Sequence, residues 1–162
     1  METKVKVLVS ACLLGRPCRY DGRSCPSEAA AALSDSVIWV PICPEVLGGL
    51  PTPRVPCERQ SEGGIRAKDG KRRTEEYQKG AEETVRIARE NGCRVALLKE
   101  KSPSCGVHCI YDGTFGGRVI SGQGLTTEML TAAGLAVYSE ADLPQKAEEL
   151  LSAAASTETT PL

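Results

Sequence analysis

Four short apolar runs set the strongest limit on how this chain can fold: 5–10 "VKVLVS", 37–43 "VIWVPIC", 94–100 "RVALLKE" and 135–139 "LAVYS". Near-continuous branched aliphatics over five to seven residues are the mark of strands buried on both faces. Helical patterns separate them. "SEAAAALS" (27–34) is a short alanine-rich helix. A longer one begins at Thr74, with Glu75 and Glu76 well placed in its first turn, Tyr77, Ala81, Val85 and Ala88 at helical spacing, and Gly92 as its stop. "TTEMLTAAG" (126–134) and "DLPQKAEELLSAAAS" (142–156) complete the set. Strands alternating with helices predict an α/β protein: a single-domain, Rossmann-like open sheet, mainly parallel, with helices on both faces. The length suits one domain over 1–156, with 157–162 a flexible tail. Segment 44–73 breaks the pattern. It is rich in Pro, Gly and charge, shows little periodicity, and reads as a long loop of functional or mobile character.

Composition narrows the function classes. A formal charge of −1 gives no global basic footprint, so extended nucleic-acid binding is not expected, although a small base or nucleoside pocket is compatible with it. No run is long enough to span a membrane, and "KVKVLVSACLLG" lacks the pattern of a secretory signal, which together predict a cytoplasmic protein. The basic run Lys68–Arg73 reads as a solvated turn before the long helix, with a phosphate or RNA contact as the lesser reading.

Eight cysteines are many for that compartment, where disulfides are disfavoured and clustered thiols point to metal or catalysis. No C-x-x-C occurs, which argues against thioredoxin-like motifs and zinc ribbons, and the single histidine excludes sites that need two. Cys93, in "NGCRV", reads as a small buried hydrophobe. Three other cysteines share a different property. Cys12 lies just past the first strand, Cys43 ends the second, and Cys105 sits a short loop beyond the third. Ligand sites of open α/β sheets lie outside the carboxyl ends of the strands, so these three can meet at one crest. Such a set suits zinc, copper(I) or an iron–sulfur cluster, with Cys18, Cys109 or His108 as candidates for a fourth ligand. The plain alternative is three unrelated buried thiols.

Polar groups accompany these thiols. "CPE" sets Glu45 two residues after Cys43, a candidate general acid/base, and "SPSC" sets Ser102 and Ser104 before Cys105. Asp21 and Asp112, each in a "YDG", read as turn residues. Arg54 is either an anion clamp or a surface residue, and Lys99 and Lys101 read as solvated.

Six ordered segments, "VSACLLGRPCRYDG", "PICPEVLGGLPTPR", "EYQKGAEE", "LLKEKSPSCG", "IYDGTFGGRVISGQG" and "GLAVYSE", resemble the DUF523 family, which includes thiouracil desulfidases, over residues 5–140. The resemblance implies a [4Fe–4S] enzyme that removes sulfur from a small thiolated pyrimidine such as 2-thiouracil, giving uracil. The family's S-A-C, C-P-E and P-S-C-G cysteines fall on Cys12, Cys43 and Cys105, which would hold the cluster and leave one iron open for the substrate sulfur. Glu45, Ser102 and Ser104 would lie beside that iron, with Glu45 transferring the proton as water replaces sulfur without net electron transfer. No role is implied for Cys18, Cys25, Cys57, Cys109 or His108. Thiolated nucleosides or tRNA bases are the alternative substrates; no membrane contact or stable nucleic-acid partner is expected. The non-enzymatic alternatives are an iron–sulfur or zinc-binding protein and a sulfur carrier. A metal-independent cysteine enzyme is the remaining one.

Overall fold

The computed structural model of the chain describes residues 4–155, so the expected tail at 157–162 lies outside the described residues. The first half contains β1 (Val5–Ser10), α1 (Glu28–Ala31), β2 (Val37–Ile42), α2 (Pro44–Leu47), β3 (Cys57–Arg59), β4 (Ile65–Ala67) and α3 (Thr74–Asn91). The second contains β5 (Val95–Leu98), β6 (Cys109–Tyr111), β7 (Val119–Ser121), α4 (Leu125–Ala132), β8 (Ala136–Ser139) and α5 (Ala147–Ala154). Short 3-10 turns occupy Ala11–Leu14 and Glu140–Asp142.

The four apolar runs form one sheet in the order β2-β1-β5-β8, every pairing parallel. Strand alternation splits the core into two layers. Val7 and Val9 of β1 and Val95 and Leu97 of β5 face α1 and α5, packing with Ala30, Leu33 and Leu150. Leu8, Ala96 and Leu98 face the other way, against Val85 and Ala88 of α3 and Leu130 of α4. The sheet is therefore covered on both sides, as its near-continuous apolar runs require, and each fully buried aliphatic contributes about 1.5–3 kcal/mol. No helix among the described residues is long and apolar enough to cross a membrane.

Local chemistry sets the element ends. Ser27 caps α1, its hydroxyl accepting the Ala30 N–H at 3.2 Å. Gly92 ends α3 at φ 68, the left-handed stop its sequence position calls for. The last helix starts later than its composition suggests, at Ala147 rather than 142. Pro144 supplies no N–H and disfavours helical geometry at Leu143, so the chain makes a 3-10 turn first.

Segment 44–73 is not a structureless loop. It holds α2 and the antiparallel pair β3–β4, elements of three or four residues that are too short to show a period in sequence. β6 and β7 form a second small antiparallel pair. Two glycines fix α2 against α3. A Cβ on Gly80 would lie 1.8 Å from the Pro44 carbonyl oxygen, and one on Gly48 2.0 Å from that of Glu76. Only glycine permits that approach, and it sets Glu45 of α2 beside Tyr77 of α3.

Candidate active site

β1 connects outward to β2, and the chain then crosses back to β5 on the other side of β1. The carboxyl ends of β1 and β5 thus flank the point where the winding reverses, where α/β sheets open a ligand crevice. Ser10 ties the two ends together, its buried hydroxyl oxygen accepting the Lys99 N–H at 2.9 Å. Above them lies a cavity of about 380 Å³.

Cys12, Cys43 and Cys105 all line this cavity, and so do Glu45, Ser102 and Ser104. Cys12 sits in the 3-10 turn after β1, Cys43 in the residue that precedes α2, and Cys105 in the loop after β5. Two further thiols reach the same space: Cys18, one of the candidates for a fourth ligand, and Cys57, for which no role was expected. Cys18 is the closer, touching the thiols of both Cys12 and Cys43. Its carbonyl oxygen accepts from Arg54 Nη2 at 2.8 Å and from the Cys43 thiol at 3.7 Å. Cys25, Cys93, Cys109 and His108 do not line the cavity. His108 instead points Nε2 at both oxygens of Asp142, 2.9 Å away, and Cys93 is sealed in the α3–α4 layer.

Glu45 is held from both sides. Arg54 donates through Nε at 2.8 Å and through Nη2 to Oε2, and the Tyr77 hydroxyl donates to Oε1 at 2.8 Å. The Arg54 and Glu45 side chains are only 5% and 13% exposed, so this is a nearly buried ion pair and Arg54 is no surface residue. Burial, and then the Glu45 charge, push the Tyr77 hydroxyl well above its ordinary range, which keeps it a donor. A carboxylate offers about four acceptor positions. Three are taken, leaving room for about one more donor.

The "SPSC" serines organise Cys105. The Ser102 oxygen accepts the N–H groups of Ser104 and Cys105, each at 3.1 Å, and lies 2.9 Å from the Ser104 hydroxyl. Ser104, itself buried, donates to the Cys105 sulfur at 3.5 Å. One layer further out, the Glu100 carboxylate accepts N–H groups from Val107, His108 and Cys109 at 2.7–3.1 Å, closing the loop that carries Cys105. Burial would raise Glu100, but the Ser139 hydroxyl and these three N–H groups hold it below the ordinary carboxylate range.

Cys43, Cys57 and Cys105 resist ionisation. Burial pushes Cys105 up to about 12 and raises Cys57, while contact with the Cys18 thiol and then burial raise Cys43 far further. A metal that binds them must displace their protons. The cations around the cavity favour that step: Arg19, Arg54, Lys68, Lys99 and Lys101 all line it. Lys99 is half-buried and paired with Glu140 at 3.1 Å, so it is not simply solvated. Most of the basic run 68–73 is exposed as expected. Asp21 and Asp112 are turn residues, capping the N–H groups of Arg23 and Thr114 at 2.9 and 3.0 Å.

The donor set is soft: all eight cysteines are free thiols, and the only histidine points elsewhere. No group of three or more His, Cys, Asp or Glu side chains among the described residues is arranged to hold a metal ion. Thiols that each bind a different iron of a cluster need not converge on one point, and thiolate sulfur is the ligand such clusters take. The residues therefore fit an iron–sulfur cluster.

The comparisons agree with this chemistry. Residues 7–142 match the profile of the family described as 2-thiouracil desulfurase. The protein YbbK of Bacillus subtilis (strain 168), described only as uncharacterized, is 42% identical over 146 residues, covering 85% of this chain and 97% of that protein. A solved structure described as the [4Fe–4S]-dependent thiouracil desulfidase TudS, a DUF523 protein, is 47% identical. It superposes with a TM-score of 0.83 over 91% of this chain and 98% of its own. With the family profile matched across nearly the whole described fold, the chain belongs to the 2-thiouracil desulfurase family, the DUF523 proteins.

Proposed function

We propose that this chain is a [4Fe–4S]-dependent desulfidase that removes sulfur from 2-thiouracil or a related thiolated nucleobase by non-redox hydrolysis of the carbon–sulfur bond. The observation that carries the reading is the meeting of Cys12, Cys43 and Cys105, from three neighbouring strand ends, in one cavity with Glu45. Held by those three thiolates, the cluster would supply an iron without a protein ligand, a Lewis acid that polarises the carbon–sulfur bond and takes up the departing sulfur.

The chain's own residues supply the remaining chemistry. Glu45 accepts a proton from the attacking water at its remaining acceptor position, while Arg54 and Tyr77 fix both its oxygens in place. Carbon exchanges sulfur for the water oxygen, and 2-thiouracil plus water becomes uracil plus hydrogen sulfide, so no electrons are gained or lost. Ser102 and Ser104 act through Cys105: one fixes the backbone of its loop and the other donates to its sulfur. We take 1–156 as one catalytic domain working in the cytoplasm, where thiols stay reduced.

Arg19, Lys68 and Lys101 at the cavity favour a second reading in which the base arrives as part of a thiolated nucleoside or tRNA. A phosphate-dependent contact would make that activity fall steeply with added salt, whereas turnover of the free base would not.

Glu45→Gln tests the proton-transfer role. In the anaerobically reconstituted protein it should lower the rate of sulfide release from 2-thiouracil about 10²- to 10⁴-fold with the cluster absorbance unchanged. Undiminished turnover would remove Glu45 from the chemistry.

A further inference from the structure

Only two non-glycine residues among those described adopt a left-handed backbone, Lys101 at φ 72 and Phe115 at φ 61, and both line the cavity. For a bulky residue this conformation costs about 1–3 kcal/mol and persists only where its surroundings impose it. At Phe115 those surroundings are plain. Glu58, 9% exposed, accepts the N–H of Gly113 at 2.9 Å and that of Phe115 at 3.1 Å through one oxygen. The Gln60 side chain donates to the Gly113 carbonyl at 3.2 Å, and Asp112 accepts both the N–H and the hydroxyl of Thr114. Gly113, at φ 95, packs so closely that a Cβ there would lie 2.9 Å from the Arg59 carbonyl. The turn between β6 and β7 is thus fastened to β3, with the phenylalanine at its tip.

Packing does not explain that phenylalanine. Phe115 belongs to none of the three hydrophobic clusters of the fold and is half-buried at the cavity wall. Aromatic residues are scarce in this chain: four Tyr, one Trp and the single Phe. Three of them, Tyr20, Tyr111 and Phe115, line the cavity. An aromatic residue on a strained, fastened backbone with no core to fill is a surface built for a planar ligand.

We propose that Phe115 is the stacking platform for the pyrimidine ring of the substrate, and that Glu58 is the positioning residue that presents it. The proposal rests on the desulfidase reading and names the group that holds the substrate's ring within it. Base–aromatic stacking of this kind is typically lost with a ten- to hundredfold fall in affinity, and it tolerates any flat ring.

The test measures anaerobic sulfide release from 2-thiouracil and equilibrium dialysis of uracil, both on the cluster-loaded protein. Phe115→Ala should raise KM and the uracil Kd together by about 10- to 100-fold, with kcat and iron content close to those of the unaltered protein. Phe115→Tyr should restore both. Glu58→Ala should reproduce the KM effect although the ring is intact, and Glu58→Gln, which keeps an acceptor oxygen, should largely reverse it. An active protein whose Phe115→Ala variant binds uracil normally, or loses kcat with KM unchanged, overturns the stacking role alone. An unaltered protein that releases no sulfide overturns the desulfidase reading itself, whatever the variants do.

Discussion

Strand β5 carries a cysteine near each of its ends, and the two look alike in burial and proton affinity. Cys93 precedes it and Cys105 follows it; they are 0% and 4% exposed, and burial pushes their thiols up to about 11 and about 12. Their neighbours differ. Cys93 packs among the aliphatics of the α3–α4 layer, with the Lys6 charge nearby. Cys105 receives the Ser104 hydroxyl, lies near that of Ser10 and near the Cys43 thiol, and feels the charge of Glu45. Neither burial nor proton affinity separates the packed thiol from the one proposed as a ligand. Chain direction does, because the carboxyl ends of parallel strands gather at the crevice and the amino ends do not.

The largest effect should come from substituting the two cysteines in turn. Cys105→Ser, like Cys12→Ser and Cys43→Ser, should yield protein with little iron and no measurable sulfide release. Cys93→Ser should keep both, losing only about 1–3 kcal/mol in denaturant unfolding for a buried hydroxyl. Equal cluster loss from both ends of β5 would dissolve the contrast. Cys18→Ser sharpens it further. Although this thiol touches two of the proposed ligands, it should leave about four irons per chain. Its loss of the cluster would mean four protein ligands and no open iron.

A smaller effect should follow at the helix crossing that aims the second strand end. Gly80→Ala drives a methyl into the Pro44 carbonyl, shifting α2 with Cys43 and Glu45. We expect about 1–3 kcal/mol lost on thermal unfolding, together with slower turnover. Smallest is a pH effect on the loop that carries Cys105. Glu100 titrates lower in the folded chain than its ordinary value of 4.5, so it contributes stability that is fully present above pH 4.5 and lost as pH falls through the folded value. Unfolding curves of Glu100→Gln should therefore flatten on the acid side, and identical curves would remove Glu100 from the account.

The same contrast explains what the sequence revealed and what it hid. The four strands were legible because burial on both faces leaves continuous aliphatic runs, and α3 because eighteen residues show a period and end on Gly92. Cys12, Cys43 and Cys105 were legible for the same reason, since each follows a readable strand end. Arg54 and Tyr77 were not, because they reach Glu45 from 9 and 32 residues away through a crossing that depends on Gly48 and Gly80. A glycine in the middle of the "EYQKGAEE" helix was the available signal that another backbone comes close. Cys18 could be named as a candidate ligand but not placed, because the loop that carries it is fixed by hydrogen bonds from Arg54 and Cys43 to its carbonyl oxygen.

The central claim is that three strand-end thiols hold a cluster which, with Glu45, desulfurates a thiolated base. Anaerobic reconstitution followed by paired assay of sulfide and uracil from 2-thiouracil tests it most directly. The reconstituted protein should be brown, hold about four irons per chain and release one sulfide for each uracil formed. A colourless protein, activity without iron, or a loaded cluster that releases no sulfide would contradict it.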